Sequence, residues 1–396
     1  MSKLKLIILS SGITFLVVSA VYAFITDRNV ITGTFDDVFK SDTSLNFVNT
    51  AQIAKMSNDI SNSRQTIITN TVAQVSPAVV GINVTEIRQY RDIWSLDPFW
   101  RQWFGDRVYN QQIRGLGSGV IISPDGYVIT NDHVAGNAVE TIITLTDGRQ
   151  YEAKTVGSDP TSDICLLKIE AENLPYVKLG NSDEILIGEW VIAFGNPFGL
   201  FDINEQPTVT VGVISAKGMN LGVSNNRYYV NMLQTDAAIN SGNSGGPLVT
   251  AFGELIGMNT LIYTTQGSSG NIGVGFAIPV NKLNRIINEL KRTGKVDRDF
   301  WTGLSIQTID QNIAKAYNLK SSRGVIITKV DNSSPAQKAG LEVYDIIVGI
   351  NKYRINDENT LIGLLQQEFR AGDIIDFKII RDNKQLTKTL KLEKRQ

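Results

Sequence analysis

Gly242-Asn243-Ser244-Gly245-Gly246-Pro247-Leu248 sets a serine in a turn with glycine on both sides. A Ser hydroxyl is a poor nucleophile at neutral pH and needs an adjacent base to take its proton. Neighbours without side chains let the backbone approach a bound chain closely. They also let the amides of Gly242 and Ser244 point together as an oxyanion hole, whose donors are each typically worth ~10²- to 10³-fold in rate. Taken alone, the segment is equally an ordinary tight loop, so its meaning depends on what the rest of the chain supplies.

The chain has 396 residues and one histidine, His133, so every imidazole-dependent reaction stands or falls at one position. Thr130-Asn131-Asp132-His133-Val134 follows a predicted strand and sets that imidazole at a strand end, open to a cleft. In Ser162-Asp163-Ile164-Cys165-Leu166-Leu167, Asp163 opens a strongly apolar strand. A carboxylate there is partly desolvated unless it accepts a hydrogen bond. His133 Nδ1–H would supply one and fix the tautomer that leaves Nε2 free to serve Ser244. Asp159 is the neighbouring acid and reads as a turn residue. The order His, Asp, Ser is that of chymotrypsin among the known convergent arrangements.

Around these segments, residues 70–280 give short apolar or alternating runs at 78–84, 119–122, 127–130, 141–145, 164–169, 190–194, 209–215 and 255–260, separated by Gly, Asp and Pro. Such spacing predicts an all-β sandwich or barrel. Ser123-Pro124-Asp125-Gly126 and Thr146-Asp147-Gly148 read as hairpin turns whose glycines take positive φ. Leu283, Ile286, Ile287 and Leu290 fall at helical spacing, so one amphipathic helix over 281–292 closes the block. The last hundred residues change character: short strands surround predicted helices near 335–340 and 360–367, a small α+β module.

With 42% apolar residues and a net charge of −1, the chain can bury more than one core. Lys and Arg form no basic runs, which argues against a nucleic-acid partner. One cysteine permits no intrachain disulfide, and one His with one Cys cannot build a zinc site, so neither metal nor cofactor is expected. Lys3 and Lys5 precede twenty uncharged, mostly apolar residues at 6–25. That length suffices to cross a bilayer as a helix, with the remainder exported. A signal peptide cleaved after Val21-Tyr22-Ala23 is the competing reading, although its apolar core is usually only ~7 to 15 residues. The polar stretch 27–65 reads as a tether.

The segments that carry the chemistry, together with Gly115-Leu116-Gly117-Ser118-Gly119-Val120-Ile121, Phe194-Gly195-Asn196-Pro197, Gln234-Thr235-Asp236-Ala237 and Gly273-Val274-Gly275-Phe276-Ala277-Ile278-Pro279, resemble the HtrA (Deg) family of trypsin-like proteases. The resemblance implies a mainly β fold, a trypsin-like double β-barrel over 66–294, with His133, Asp163 and Ser244 as its triad. In such enzymes the floor of the primary pocket lies six residues before the nucleophile, here Ala238. With Ile239, Leu261 and Ile262 lining it, the pocket would favour small aliphatic residues, Val foremost. Asp236 is read as structural.

Gly324-Val325-Ile326-Ile327, Ser334-Pro335-Ala336, Ala339-Gly340-Leu341 and Asp345-Ile346-Ile347-Val348-Gly349-Ile350-Asn351 resemble a PDZ domain, spanning 298–396. Trp301-Thr302-Gly303-Leu304 would hold a peptide carboxylate, beside a helix offering Leu361 and Leu364. A single PDZ domain and an N-terminal membrane anchor (1–26) look most like the DegS branch. That likeness implies a homotrimer on the periplasmic face of the inner membrane, acting on polypeptides and activated by C-termini of misfolded outer-membrane proteins. A soluble periplasmic quality-control protease is the alternative, and a chaperone the reading from another class. Two features depart from the branch: an insertion at 86–114 carrying Trp94, Phe99, Trp100, Trp103 and Phe104, and Met219 in place of a regulatory arginine, whose part could pass to Arg227.

Overall fold

The computed structural model describes residues 64–91, 108–196, 206–224, 226–240, 242–262, 273–317, 319 and 321–394. All described strands and helices from Gln65 onward belong to one unit. The sequence-predicted anchor at 1–26, residues 27–63 of the predicted 27–65 tether and the five aromatic residues of the insertion lie outside the described residues.

Thr66 and Thr69 cap helix α1 (Ile67–Val75) reciprocally, each hydroxyl accepting the other residue's amide. Six antiparallel strands then close a barrel: β1 (Val79–Arg91), β2 (Val108–Ile121), β3 (Tyr127–Thr130), β4 (Glu140–Leu145), β5 (Gln150–Asp159) and β6 (Ile164–Ile169), in the order β1-β2-β3-β6-β5-β4. Helix α2 (Asp132–Ala135) follows β3. The described ends of the insertion continue β1 and β2 in register out to Arg91 opposite Val108.

A second closed barrel is built from β7 (Trp190–Gly195), β8 (Thr208–Met219), β11 (Met232–Thr235), β12 (Pro247–Thr250), β13 (Leu255–Ile262) and β14 (Gly275–Pro279). Between β8 and β11 a small hairpin projects, β9 (Gly222–Ser224) paired with β10 (Arg227–Tyr229). Helix α3 (Val280–Thr293) buries Leu283, Ile286, Ile287 and Leu290, ends on Lys291 and Arg292, and stops at the left-handed Gly294.

The continuous apolar runs of β6 and β7 have a physical reason. Cys165, Leu167 and Ile169 point into the first barrel, whereas Ile164 and Leu166 point outward into a cluster shared with the second barrel and α3. On β7, Val191 and Ala193 face the interior of the second barrel and Ile192 and Phe194 face the shared cluster. A strand buried on both faces shows no alternation. Gly126 and Gly148 take φ of 97° and 82° at the two turns read as hairpins.

The C-terminal module holds β15 (Leu304–Thr308), α4 (Gln311–Ala316), β16 (Val325–Val330), α5 (Pro335–Lys338), β17 (Ile346–Ile350), β18 (Tyr353–Arg354), α6 (Glu358–Glu368), β19 (Ile374–Arg381) and β20 (Lys384–Lys391). Its sheet runs β15-β16-β17-β19-β20, with β18 paired to β17. Along β19, Ile375, Phe377 and Ile379 alternate inward onto Leu361 and Leu364 of α6.

Candidate functional site

His133 sits in the short turn α2, directly after β3, with 34% of its side chain exposed, whereas Asp163 is fully buried. Its Nδ1 lies 2.8 Å from Asp163 Oδ2 and 3.0 Å from Oδ1, and its own amide donates to Oδ1 at 3.0 Å. With Nδ1–H donating to the carboxylate, Nε2 is left as the acceptor. Asp163 closes the turn from β5 to β6 at φ 58°, a left-handed conformation uncommon outside glycine, and this aims the carboxylate at α2.

More donors converge on the same acid. Thr260 Oγ1 donates to Oδ2 at 2.8 Å, Tyr229 OH reaches it at 3.3 Å, and Asn131 Nδ2 holds the Asp163 carbonyl at 3.0 Å. Burial opposes the charge, but the bonds from His133 and Thr260 prevail and hold the carboxyl below the usual carboxylate range. Thr260 and Asp163 are 97 positions apart in the sequence, so no local pattern announces the threonine.

Ser244 reaches the pair from the other barrel. Ser118 N on β2 donates to Ser244 O at 3.0 Å, and Ser118 Oγ donates to Gly242 O at 2.5 Å while accepting the Asn196 amide at 2.7 Å. Gly245 is left-handed, at φ 85°, and a Cβ there would collide with Ser118 O and Thr130 Oγ1, so only glycine fits. Among the described residues, the amides of Gly242 and Ser244 have no acceptor. Ser244 Oγ donates to the Thr260 carbonyl at 3.1 Å, not to His133. Proton transfer to the imidazole therefore requires the Ser244 hydroxyl to leave this acceptor. His133, Ser244, Gly242, Val84, Ile113 and Leu116 line a common cavity of about 210 Å³.

The residues expected to form a primary pocket belong to the second barrel and its connections. Ala238 is half-buried and its carbonyl accepts from Thr210 Oγ1 at 2.8 Å. Ile239 is fully buried in the core of the second barrel. Leu261 and Ile262 end β13, with their side chains outside the described part. The Asp236 carboxylate accepts the Val213 amide at 2.7 Å and so ties down β8.

In the C-terminal module, Trp301, Thr302, Gly303 and Leu304 line a groove of about 270 Å³, opposite Ile362, Leu365 and Gln366 of α6. Leu361 and Leu364, expected in that groove, instead lie 1% and 0% exposed in the core beneath it. The phase of the helix is the reason: positions 361 and 364 face the sheet, so 362 and 365 face the groove.

The other side of α6 meets the barrels. Gln367, 1% exposed, donates through Nε2 to Thr161 O at 3.0 Å and to Tyr228 O. A Cβ on Gly363 would stand 2.9 Å from Tyr228 and Val230, so the helix can approach closely only without a side chain. Lys282 and Arg285 of α3 hold Glu368 at 3.5 and 2.8 Å. Asp159, read from the sequence as a turn residue, ends β5 directly before the 160–163 turn. It is 3% exposed and paired with Arg298 through two contacts of 2.7 and 2.6 Å. Arg298 also donates to Gln366 O at 2.7 Å, joining the turn that presents Asp163 to the end of α6.

Residues 117–258 match the trypsin-like peptidase domain and residues 302–392 the PDZ domain. A relative from Marinomonas sp. (strain MWYL1), named "Probable periplasmic serine endoprotease DegP-like", is 41% identical over 345 residues, covering 83% of this chain and 71% of that one. A relative of the same name from Chlamydia trachomatis serovar D is 44% identical over 295 residues, covering 73% of this chain and 57% of its own. Among solved structures, the HtrA-type protease AlgW with a decapeptide is similar at TM-score 0.60 and 35% identity, covering 83% of this chain and 99% of that one. The serine endoprotease from Yersinia pestis is similar at TM-score 0.52 and 31% identity, covering 84% and 99%. A bidentate His–Asp pair, a serine on a glycine turn between two barrels and a PDZ groove behind them thus meet in a chain that belongs to the HtrA family of trypsin-like serine endoproteases.

Proposed function

We propose that the chain is a periplasmic endopeptidase that cuts unfolded or regulatory proteins after small aliphatic residues, under control of peptide C-termini bound in its PDZ groove. The observation that carries the reading is the 2.8 Å contact between the sole imidazole and a fully buried carboxylate, in one cavity with Ser244. His133 Nε2 takes the Ser244 proton as Oγ attacks the scissile carbonyl carbon. Asp163 stabilises the imidazolium, and the amides of Gly242 and Ser244 receive the oxyanion. The same proton then passes to the leaving amine, and water, deprotonated by His133, releases the acyl group. Ala238, Leu261 and Ile262 would select the acyl-side residue, whereas Ile239, expected beside them, is fully buried in the barrel core and would back the pocket without touching the substrate.

A peptide in the groove touches Ile362, Leu365 and Gln366, and Gln366 and Gln367 reach the 159–162 turn. Groove occupancy would therefore bias the turn that presents Asp163. The chain forms a homotrimer in this reading; exposed Leu186, Ile187 and Trp190, at 70%, 65% and 58%, offer an apolar surface for it. Residues 66–294 and 298–396 serve as the protease and regulatory domains, held at the inner membrane by 1–26 and the 27–65 tether, in envelope stress response or protein quality control.

The test is hydrolysis of unfolded casein by the chain and by Ser244→Ala, with and without peptides ending in a free aromatic carboxylate. Cleavage by wild type alone, faster with peptide, is expected. Binding of casein without cleavage by either protein would replace the protease with a chaperone.

A further inference from the structure

We propose that Arg227 is a positioning residue for the reaction: it pins the buried Asp163 carboxylate beside His133 and offsets one of the two buried negative charges that face the imidazole. The inference rests on the serine-protease reading above.

Arg227 opens β10, and its side chain is only 15% exposed between two carboxylates. Its Nη2 bonds Asp132 Oδ2 at 2.7 Å, and its Nε lies 3.2 Å from Asp163 Oδ1. The Nε–H is not aimed as a hydrogen bond, so this second contact is Coulombic. Asp132 and Asp163 are 4% and 0% exposed. The remaining acceptor sites are occupied by neutral donors: Ser158 Oγ on Asp132 at 2.7 Å, and Thr260 Oγ1 and Tyr229 OH on Asp163. The nearby Asp159–Arg298 pair, which reaches Ser162, cancels its own charge.

The charge count decides the role. With neutral His133, the cluster of Asp132, Asp163 and Arg227 carries one net negative charge, which the imidazolium of the transition state neutralises. Without Arg227 it carries two, and the surplus negative charge favours the protonated imidazole, which cannot act as a base, over the neutral one. Opposite charges within ~4 to 6 Å shift a pKa by about 1 to 3 units. A guanidinium fork spans two carboxylates, which a lysine ammonium does not.

Because the chain has one histidine, selective ¹³Cε1-histidine labelling gives a single imidazole signal, and the measurement needs no activity. The imidazole is titrated by NMR in the full chain, in Arg227→Met and in Arg227→Lys, beside the pH profile of kcat/KM. Arg227→Met is expected to raise the imidazole pKa by about one unit, and the acid limb of kcat/KM by the same amount, so that activity on that limb falls about tenfold. Arg227→Lys keeps the charge and is expected to hold the wild-type pKa within a few tenths, while its plateau kcat/KM falls at least about fivefold from the lost second contact. A folded Arg227→Met with an unshifted imidazole overturns the proposal. If Arg227→Met does not fold, Arg227→Lys decides: a wild-type plateau, or a shifted imidazole, overturns it. Failure of the wild-type chain to cleave any substrate would sink the protease reading and leave the titration to judge Arg227 by itself.

Discussion

Replacing Arg298 by Met keeps the aliphatic stem and removes the cation that joins the Asp163 turn to the end of α6. The side chains of Arg298 and Asp159 are 13% and 3% exposed, and the two contacts of 2.7 and 2.6 Å are bidentate. Taking away one partner leaves a buried carboxylate without its paired guanidinium, a change that costs about 3–5 kcal/mol. At about 1.4 kcal/mol per factor of ten, the docked arrangement of α6 is weakened roughly 10²- to 10⁴-fold. Hydrogen–deuterium exchange of the full chain reads this directly. Segments 159–163 and 366–370 should exchange faster by up to that factor, with β6 and β12 unchanged. Adding Asp159→Asn removes the orphaned charge and should recover most of the protection. Wild-type exchange in Arg298→Met, or a double variant no better than the single one, would refute the reasoning.

Thr260→Val removes a donor to the ionised Asp163, a bond of a class worth about 1.5–3 kcal/mol, so kcat/KM should fall roughly 10- to 100-fold; steady-state kinetics at the pH plateau measure it, and an unchanged value contradicts the role. Leu361→Ala empties a core site and should cost about 2–5 kcal/mol in urea unfolding, whereas Leu365→Glu should leave the midpoint nearly unchanged and abolish peptide binding by fluorescence anisotropy. For Glu368, burial opposes the charge but Lys282 and Arg285 overcome it and depress the pKa below its ordinary 4.5. A depressed folded value means the stabilisation is complete above the unfolded pKa and is lost as pH falls through the folded one. The Tm of the wild-type chain should therefore drop below pH ~4.3 more steeply than that of Glu368→Gln, and parallel curves would count against the pairing.

The strand runs at 127–130 and 164–169 were legible because strands buried on both faces leave unbroken apolar stretches, and α3 was legible from its single apolar stripe. β5 was not, since its residues 150–155 are mostly polar and exposed and give no apolar run. Helices α1 and α4 also escaped, being short and set by caps more than by periodicity. At the site, His133 and Asp163 could be read because one stands alone and the other opens an apolar strand. Thr260, Tyr229 and Ser118 could not, because a hydroxyl carries no signature until distant strands bring it to its acceptor. The ion pair of Asp159 escaped for the same reason: its cation lies 139 positions away.

The stitch from Ser118 and Thr130 of the first barrel to the 242–245 turn of the second bears on how such a chain is made safely. Nucleophile and base belong to different barrels, and the turn that shapes the nucleophile leans on the partner barrel's backbone. A nascent or translocating polypeptide with only the first barrel folded holds the base and its acid but no serine. One with both barrels formed but unseated holds a serine with no base beside it. Proteolytic competence thus begins at the last docking step, when the two barrels seat and bring base and nucleophile into one cavity.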